Sequence, residues 1–479
     1  MSGGTAGRFF RSAGAATFSQ VWRVGVTFGV TLLLRRLIPR GDWGLWDWAL
    51  VVFLILGALR DLGLVYHVVR LPKRPYGNLL LVETVWGGAL AAGAAFAAPL
   101  IARAFKDTHP WDVEILRALC LFLFFEGLAS VPRVFFENEL RIGRTVVPEI
   151  VRNLVFAVTA VALALLGYGI WSLLVAQVGC TAVYAAHLWL RALPEIPLRF
   201  ERGNTLRLLA DSVPLALIWF LVILTRHVDP LILGAQFLKE TVASYTFAYF
   251  VAFLVTTTLV PAVTRALYPA LVAFAAEPKR LVEAYRLATL FVLALEAPVA
   301  LFLFVNADTA IRIVGGGQWS EAPTFLRLLC FAPLVDPFSR LGGEMLKVYH
   351  RDRIWIVASA TTLVSFLGFG VGFTLWLGPI GMAWANFLPL GGLVMAWAVR
   401  GVAAEGFAAL CRDIAVVYLA PLPPLAAAYL LFPGDPTLRF VASLGAVAIA
   451  FGFYAVRFGP SFRTFFRDPV AAAAGEELP

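Results

Sequence analysis

Long apolar stretches follow one another along almost the whole chain, and short loops rich in arginine separate them. The mean hydropathy is +0.82, and only 14% of the residues are charged. A bilayer core of about 30 Å is crossed by about 20 apolar residues of helix, and few of the 479 residues lie outside such stretches. The pattern predicts an all-α polytopic membrane protein whose working parts lie inside the bilayer, and it excludes an ordinary soluble protein.

The apolar stretches predict about 14 transmembrane helices and leave no room for a separate soluble domain. The predicted spans cover residues 14–36, 43–68, 77–104, 113–137, 143–166, 169–191, 207–234, 241–268, 281–305, 322–346, 353–377, 379–400, 412–432 and 438–458. Prolines inside the spans predict kinks, because proline removes a backbone hydrogen bond. These prolines are Pro214, Pro261, Pro298, Pro333 and Pro337.

Tryptophans and cysteines give weaker predictions. The tryptophans near the predicted outer ends suggest an aromatic belt at the membrane interface; they are Trp43, Trp46, Trp48, Trp111 and Trp171. The four cysteines lack metal-ligand spacing and are predicted to be buried free thiols; they are Cys120, Cys180, Cys330 and Cys411.

The distribution of basic residues predicts the orientation of the chain. The formal net charge is +9, and with the N-terminus inside, most arginines and lysines fall in loops on the cytoplasmic side. This is the bias that cytoplasmic loops show, so both termini are predicted to be cytoplasmic and the charge does not indicate nucleic-acid binding. Arg35, Arg36 and Arg40 lie on the predicted outer side and run against the rule.

Two short segments of the first half return in the second half. Leu116-Arg117-Ala118-Leu119-Cys120 recurs as Leu326-Arg327-Leu328-Leu329-Cys330, and the segment 166–171 is echoed by 377–382. The echoes predict two parallel-repeat six-helix lobes around a central cavity, an arrangement that allows alternating access. The predicted parts are an N-terminal lobe (1–202), a C-terminal lobe (203–402), two extra helices (403–460) and a short cytoplasmic tail (461–479).

Several charged residues lie at membrane depth, where they usually face a bundle interior or a wet cavity. Six arginines lie about five to nine residues from the cytoplasmic ends of their spans, or about 8–14 Å deep at 1.5 Å per residue. They are Arg23, Arg60, Arg133, Arg152, Arg286 and Arg340. Arginine suits phosphate because its planar fork donates two parallel hydrogen bonds. The set predicts a cationic vestibule open to the cytoplasm, and the alternative is pairing with carboxylates or snorkelling to the interface.

Uncharged polar residues extend the predicted cavity. In the first span Gln20, Thr27 and Thr31 share one face with Arg23, since their spacings are three and four residues, and Asn153 lies beside Arg152. Arg226, His227 and Asp229 form a polar cluster in an otherwise apolar span. This cluster is predicted to be either a gate or a static helix clip.

Buried carboxylates could exchange a proton or bind sodium during transport, and the alternative is that each forms a static ion pair. The candidates for this coupling or gating role are Asp61, Glu83, Glu126, Glu296 and Asp336. Glu126 and Asp336 occupy the same place in the two copies of the repeat. No cofactor and no metal site are predicted, other than this possible coupling ion.

Five segments resemble the Wzx-like polysaccharide-unit flippases of the multidrug/oligosaccharidyl-lipid/polysaccharide exporter superfamily. They are the residues 34–45, 60–64, 166–171, 229–234 and 317–322. Where the family more often has an acidic residue after the proline, Pro39 is followed here by Arg40-Gly41. The departure concerns the outer rim.

The resemblance implies translocation of undecaprenyl-diphosphate-linked oligosaccharide units from the inner to the outer leaflet of a bacterial cytoplasmic membrane. Such a protein serves cell-surface polysaccharide biosynthesis, and a polysaccharide polymerase is a possible partner. The alternatives are a multidrug cation antiporter or a peptidoglycan-precursor (lipid II) flippase of the same superfamily. A membrane polymerase or ligase is disfavoured because the predicted outer loops are short, so no enzymatic activity is expected.

Overall fold

The computed structural model describes residues 25–64, 68, 75–107, 110–139, 141, 143–200, 204–273, 277–348, 352–388, 390–402 and 407–462. These residues form helices and no β-strand, as the composition predicts. Ten helical segments of the described part are long and apolar enough to cross a membrane. The finer count of 14 spans stays a prediction.

The chain divides by its internal contacts into two compact units, Met1–Ala243 and Ser244–Pro479. The helices of the first unit are 25–37 (α1), Arg40–Asp61 (α2), Tyr76–Arg103 (α3), Asp112–Asn138 (α4), Gly143–Leu165 (α5), Ile170–Ala192 (α6), Asn204–His227 (α7), Asp229–Gln236 (α8) and the first part of Lys239–Ala252 (α9). The lobe boundary near residue 202 concerns the sequence repeat, and it stays a prediction.

In the first unit α4 packs against α3 and α6, and α5 packs against α6. Apolar residues fill the space between these helices, including the fully buried Phe136 and Leu188. Tyr76 packs edge-on against Phe135, with ring centroids 5.4 Å apart. This core fixes the faces of α3, which carries Glu83, and of α4, which carries Glu126 and Arg133.

Buried ion pairs cross-link one end of the first unit. Arg35 is 3% exposed, and its Nη2 atom lies 3.0 Å from the Asp47 carboxylate. The Arg35 guanidinium also lies 3.9 Å above the Trp43 ring. Lys239 and Asp112 form a second buried pair at 2.9 Å. Arg35 runs against the predicted bias of basic residues toward cytoplasmic loops, and Asp47 compensates its positive charge inside the fold.

The tryptophans of α2 pack inside the same cross-linked end. Trp43, Trp46 and Trp48 are each 5% exposed or less, and Trp48 packs edge-on against Phe105 at 3.6 Å. These three tryptophans therefore take part in helix packing, whereas Trp111 is exposed. Trp43 also lies beneath the Arg35 guanidinium. The belt at the membrane interface stays a prediction.

The second unit contains eleven further helices of the described residues and one 3₁₀ turn. They are Leu254–Ala273 (α10), Pro278–Val305 (α11), Ala307–Gly315 (α12), Ala322–Leu329 (α13), the 3₁₀ turn Ala332–Leu334, Asp336–Val348 (α14), Asp352–Leu377 (α15), Pro379–Ala385 (α16), Leu390–Val402 (α17), Phe407–Leu419 (α18), Leu422–Leu431 (α19) and Pro436–Arg457 (α20). α11 packs against α10, α14, α18 and α20. It is the central helix of this unit.

Prolines act differently from one span to the next. Pro298 lies inside the continuous helix α11, whereas the predicted span 322–346 is broken into α13, the 3₁₀ turn and α14 around Pro333 and Pro337. The predicted span 412–432 is likewise two helices, α18 and α19, which meet near Pro421. The helix therefore continues through Pro298, whereas a helix ends before Pro333.

The echoed segments have similar local structure. Cys120 and Cys330 are both buried, and each thiol donates to a backbone carbonyl of the preceding turn. Gly169 and Gly378 each precede a helix with a positive φ, +52° and +69°. At Gly169 a Cβ would lie 2.4 Å from the Asp42 carboxylate, which accepts a hydrogen bond from the Ile170 amide. Cys411, unlike the other cysteines, is exposed, which corrects the prediction that all four are buried.

Gly44 lies where α2 packs closely against the start of α9. A Cβ added there would lie 1.9 Å from the Lys239 carbonyl oxygen, so the backbone must move. We expect Gly44→Ala to lower the free energy of unfolding by about 1–3 kcal/mol, the usual cost of overpacking. Thermal unfolding of the detergent-purified protein measures the change.

The matched control is Gly93→Ala in α3. A Cβ at Gly93 would meet nothing within 4 Å, and alanine is favoured over glycine in a helix by about 1 kcal/mol. Its unfolding midpoint should stay the same or rise. Equal midpoints for the two variants would contradict the close approach of α2 to Lys239.

Candidate functional site

Two arginines of the first unit share one carboxylate. Glu126 lies midway along α4, and its Oε2 atom is 3.1 Å from Nη2 of Arg152 on α5. Its Oε1 atom is 3.6 Å from Nη1 of Arg133, about two turns further along α4. We call Arg133, Glu126 and Arg152 the Glu126 triad. The two guanidinium groups share this carboxylate, and Asp61 and Glu137 also lie within electrostatic reach of Arg133.

The Glu126 triad is partly accessible. The side chains of Arg133, Arg152 and Glu126 are 32%, 23% and 21% exposed. Residues of α6 hold Arg152 in place, since its guanidinium lies 5.0 Å from the Tyr184 ring and Nη2 donates to Thr181 Oγ1 at 3.4 Å. Arginine forks that are positioned yet reachable can exchange a carboxylate for another anion, and phosphate is the anion they fit best.

Arg60 and Glu83 form a different kind of pair. Their side chains are 7% and 0% exposed, and Arg60 Nε lies 3.2 Å from Glu83 Oε2. Arg60 also donates from Nη1 to the backbone carbonyl of Leu123 at 3.1 Å. Asp61 lies within electrostatic reach of Glu83 and of Arg133. The buried pair joins α2, α3 and α4. The substrate-binding role of Arg60 and the coupling role of Asp61 and Glu83 stay predictions.

The two arginine candidates of the second unit are also paired. Arg286 forms an ion pair with Glu283 one turn earlier on α11 and with the buried Asp413 on α18. Arg412 and Arg457 approach the same Asp413 carboxylate at 3.7 and 4.0 Å. Asp413 therefore links α11 to the C-terminal helices. No sequence signal singled it out, because it stands in a predicted span beside an arginine assigned to the loop.

Asp336 and Arg340 lie one turn apart at the start of α14 and form an ion pair. Glu296 of α11 is buried, and its Oε1 atom accepts a hydrogen bond from Thr256 Oγ1 of α10. Asp336 and Arg340 lie within electrostatic reach of Glu296. The structure thus brings two predicted coupling carboxylates of the second unit, Glu296 and Asp336, into one neighbourhood.

The remaining candidates are the predicted polar cavity residues, Arg23 and the cluster of residues 226, 227 and 229. Gln20 and Arg23 are outside the described residues. Thr27 is exposed and Thr31 is half-buried on α1, and Asn153 is half-buried next to Arg152. Arg226 and His227 end α7, and the buried Asp229 begins α8, so this cluster surrounds a helix break. The roles assigned to these residues stay predictions.

Outside the spans, a carboxylate near the end of α6 shows the same partner chemistry in an exposed position. Glu195 pairs with Arg144 and Arg141. Hydrogen bonds from Arg144, together with the charges of both arginines, lower the pKa of Glu195. These arginines are exposed and saturated by a surface carboxylate, which distinguishes them from the Glu126 triad.

The sequence profile of the polysaccharide biosynthesis protein family matches residues 33–324, more than half of the chain. The chain belongs to this family. No curated protein matches the chain. The resemblance to Wzx-like flippases and to their superfamily is confirmed at this level.

Solved transporter structures share the fold. The lipid II flippase MurJ in an inward closed conformation matches with a TM-score of 0.74 at 14% identity, over 94% of this chain and 99% of that one. An inward-facing multidrug resistance transporter of the MATE family and MOP superfamily matches with a TM-score of 0.65 at 16% identity, over 81% and 96%. A Pyrococcus furiosus MOP transporter, described by a reversed polarity of its binding pocket, matches with 0.56 at 15%, over 85% and 96%. At these identities the likeness establishes the fold, a multi-pass membrane transporter fold, and no substrate.

The Arg60–Glu83 pair is expected to contribute to the free energy of unfolding. Arg60→Ala leaves a carboxylate buried without its main cation, which costs about 3–5 kcal/mol of unfolding free energy. Arg133→Ala should cost about 1 kcal/mol or less, since its pair is partly exposed. The loss should be visible as a lower thermal midpoint in detergent.

The double variant Arg60→Met, Glu83→Leu is the control. Replacing a buried pair with apolar side chains of similar volume is often neutral or stabilising, so the midpoint should recover most of the loss. A double variant as unstable as Arg60→Ala would show that the two side chains do not depend on each other.

Proposed function

We propose that this protein is a flippase that moves undecaprenyl-diphosphate-linked oligosaccharide units from the inner to the outer leaflet of a bacterial cytoplasmic membrane. Membership of the polysaccharide biosynthesis family and the transporter fold support the general class. The two arginines that share Glu126 carry the specific proposal. Their forks supply positioned, partly accessible donors for a diphosphate, which is the anionic part of such a lipid.

The diphosphate competes with Glu126 for the two guanidinium groups. In the resting triad Arg133 holds Glu126 at 3.6 Å, a distance beyond a hydrogen bond, so this arginine is the easier one to redirect. Arg152 is held by Thr181 and Tyr184 as well as by Glu126, so it provides the fixed part of the site. Exchange of one anion for another keeps the charge compensated while the headgroup is inside the protein.

In the cell, the proposed flippase lies in the cytoplasmic membrane with both termini inside. It alternates between two accessible states and delivers its substrate to a polysaccharide polymerase. It carries out no chemical conversion and needs no organic cofactor. A proton or sodium gradient supplies the driving force.

A lipid II flippase is the second candidate, because its substrate also carries a diphosphate and would use the same arginine pair. A multidrug cation antiporter is disfavoured. The donors of the Glu126 triad are guanidinium groups, which do not bind a cation, and the carboxylate between them is already paired with both arginines.

The test is to neutralise the triad's arginines in cells that make the polysaccharide. Arg133→Gln and Arg152→Gln should each lower export about tenfold or more, because a hydrogen bond to a charged group contributes about 1.5–3 kcal/mol. The readout is loss of surface polysaccharide together with accumulation of the lipid-linked unit in the inner leaflet. Arg23→Ala with Arg152→Ala should abolish export, if Arg23 lines the same vestibule.

Arg280→Gln is the matched control, since Arg280 is a cytoplasmic-side arginine already paired with Glu277 and 37% exposed. Its export should stay near the wild-type value, with all variants inserted at equal levels. Full activity of both triad variants would remove the arginine site from the proposal. Restored peptidoglycan synthesis in cells depleted of their own lipid II flippase would favour the second candidate.

A further inference from the structure

Glu296 is a carboxyl group at the centre of the second unit with one hydrogen-bond partner. It lies on α11, is 2% exposed, and accepts a hydrogen bond from Thr256 Oγ1 at 2.5 Å through its Oε1 atom. Its Oε2 atom is buried and has no hydrogen-bond partner among the described residues. Apolar side chains of α11, α18 and α20 surround this part of the helix, among them Leu293, Ala297 and Val417.

No basic side chain of the described residues lies within ion-pair distance of Glu296. Other buried carboxylates have such a partner: Glu83 has Arg60, and Asp413 has Arg286. The arginine in electrostatic reach of Glu296 is Arg340, and it is already bound to Asp336. An ionised Glu296 would therefore be a buried negative charge without its own cation, which is the costliest arrangement for such a group.

The titratable groups near Glu296 among the described residues do not supply a cation for its carboxylate. Asp336 on α14 adds negative charge, and Arg340 compensates Asp336. Tyr418 on α18 is also in electrostatic reach, and its hydroxyl donates to the Leu334 carbonyl at 2.8 Å rather than to Glu296. Thr256 on α10 does not titrate.

From this geometry we propose that Glu296 is a proton-binding site, and that it holds a proton in the conformation described. Among the described residues no group of three or more His, Cys, Asp or Glu side chains could hold a metal ion here. One proton neutralises the carboxylate and needs no further ligand. The role of this proton in transport rests on the proposed function, whereas its presence does not.

Loss of the proton would act on a helix break. Asp336 is the first residue of α14 and follows the 3₁₀ turn Ala332–Leu334. A new negative charge at Glu296 attracts Arg340 away from Asp336 and repels the Asp336 carboxylate. A change in the protonation of Glu296 therefore changes the Asp336–Arg340 ion pair at the start of α14.

The first experiment detects the proton directly. Dicyclohexylcarbodiimide, an apolar reagent, modifies protonated carboxyl groups in apolar surroundings, and mass spectrometry locates the adduct. We expect Glu296 to be labelled several-fold more than Glu83 and Asp413, which are equally buried internal controls with arginine partners. Labelling of Glu296 no higher than of these controls, or protection of Glu296 by Na⁺ at constant pH, would overturn the proton site.

The second experiment uses stability as a readout that does not depend on transport. Glu296→Gln reproduces the shape and neutrality of a protonated carboxyl, so the thermal midpoint should not change. Glu83→Gln leaves Arg60 buried without its partner, and the midpoint should fall. A fall of equal size in both variants would show that Glu296 is ionised in the native protein.

Transport then separates this inference from the proposed function. In proteoliposomes the wild-type protein should move an undecaprenyl-diphosphate-linked N-acetylglucosamine probe faster with an imposed pH gradient, and Glu296→Gln should lose that response. Labelled Glu296 without any transport of the probe would overturn the proposed function and leave the proton site standing. Undiminished pH response in Glu296→Gln would overturn the coupling role.

Discussion

The structure depends on how the protein compensates charge where water is absent. A lone charged group inside a bilayer is expensive, so each buried charge needs a partner, and in this protein the partner usually stands on another helix. Arg60 joins α2 to Glu83 on α3, Lys239 joins α9 to Asp112 on α4, and Arg286 joins α11 to Asp413 on α18. The two partners lie far apart in the sequence. These pairs therefore select which helices are neighbours, a choice that apolar surfaces alone leave open.

The number of partners separates structural arginines from candidate binding arginines. Arg60 and Arg35 each pair with one buried or nearly buried carboxylate and have almost no exposure. Arg133 and Arg152 divide one carboxylate and stay partly accessible. The predicted depth in the membrane does not separate the two kinds of arginine, because Arg60 and Arg133 have similar predicted depths. The exposure of the side chain and the sharing of a carboxylate separate them, and both depend on which helices pack together.

Periodicity and hydropathy predicted the fold class, the spans of most helices and the list of charged residues at depth. They could not predict partners, since a spacing of three or four residues places a side chain on a face but does not say which helix meets that face. Asp413 was missed for this reason, and the sequence left open which arginine pairs with Glu83. The same limit applies to Trp43, whose contact with the Arg35 guanidinium could not be predicted. The sequence also could not predict which prolines break a helix, because Pro298 lies inside a helix and Pro333 lies at a break.

The echoed carboxylates Glu126 and Asp336 are compensated in different ways. Glu126 lies mid-helix in the continuous α4, where no helix terminus can stabilise its charge, and two arginines compensate it. Asp336 begins α14 because the span is broken near Pro333, and the positive end of a helix dipole stabilises an anion there. One arginine, Arg340, completes the compensation. A helix terminus and an arginine therefore share the compensation of Asp336, whereas Glu126 depends on side chains. Glu296, the neighbour of Asp336, has no basic side chain at ion-pair distance among the described residues, and for this reason the proposed proton site lies in the second unit and the proposed anion site in the first.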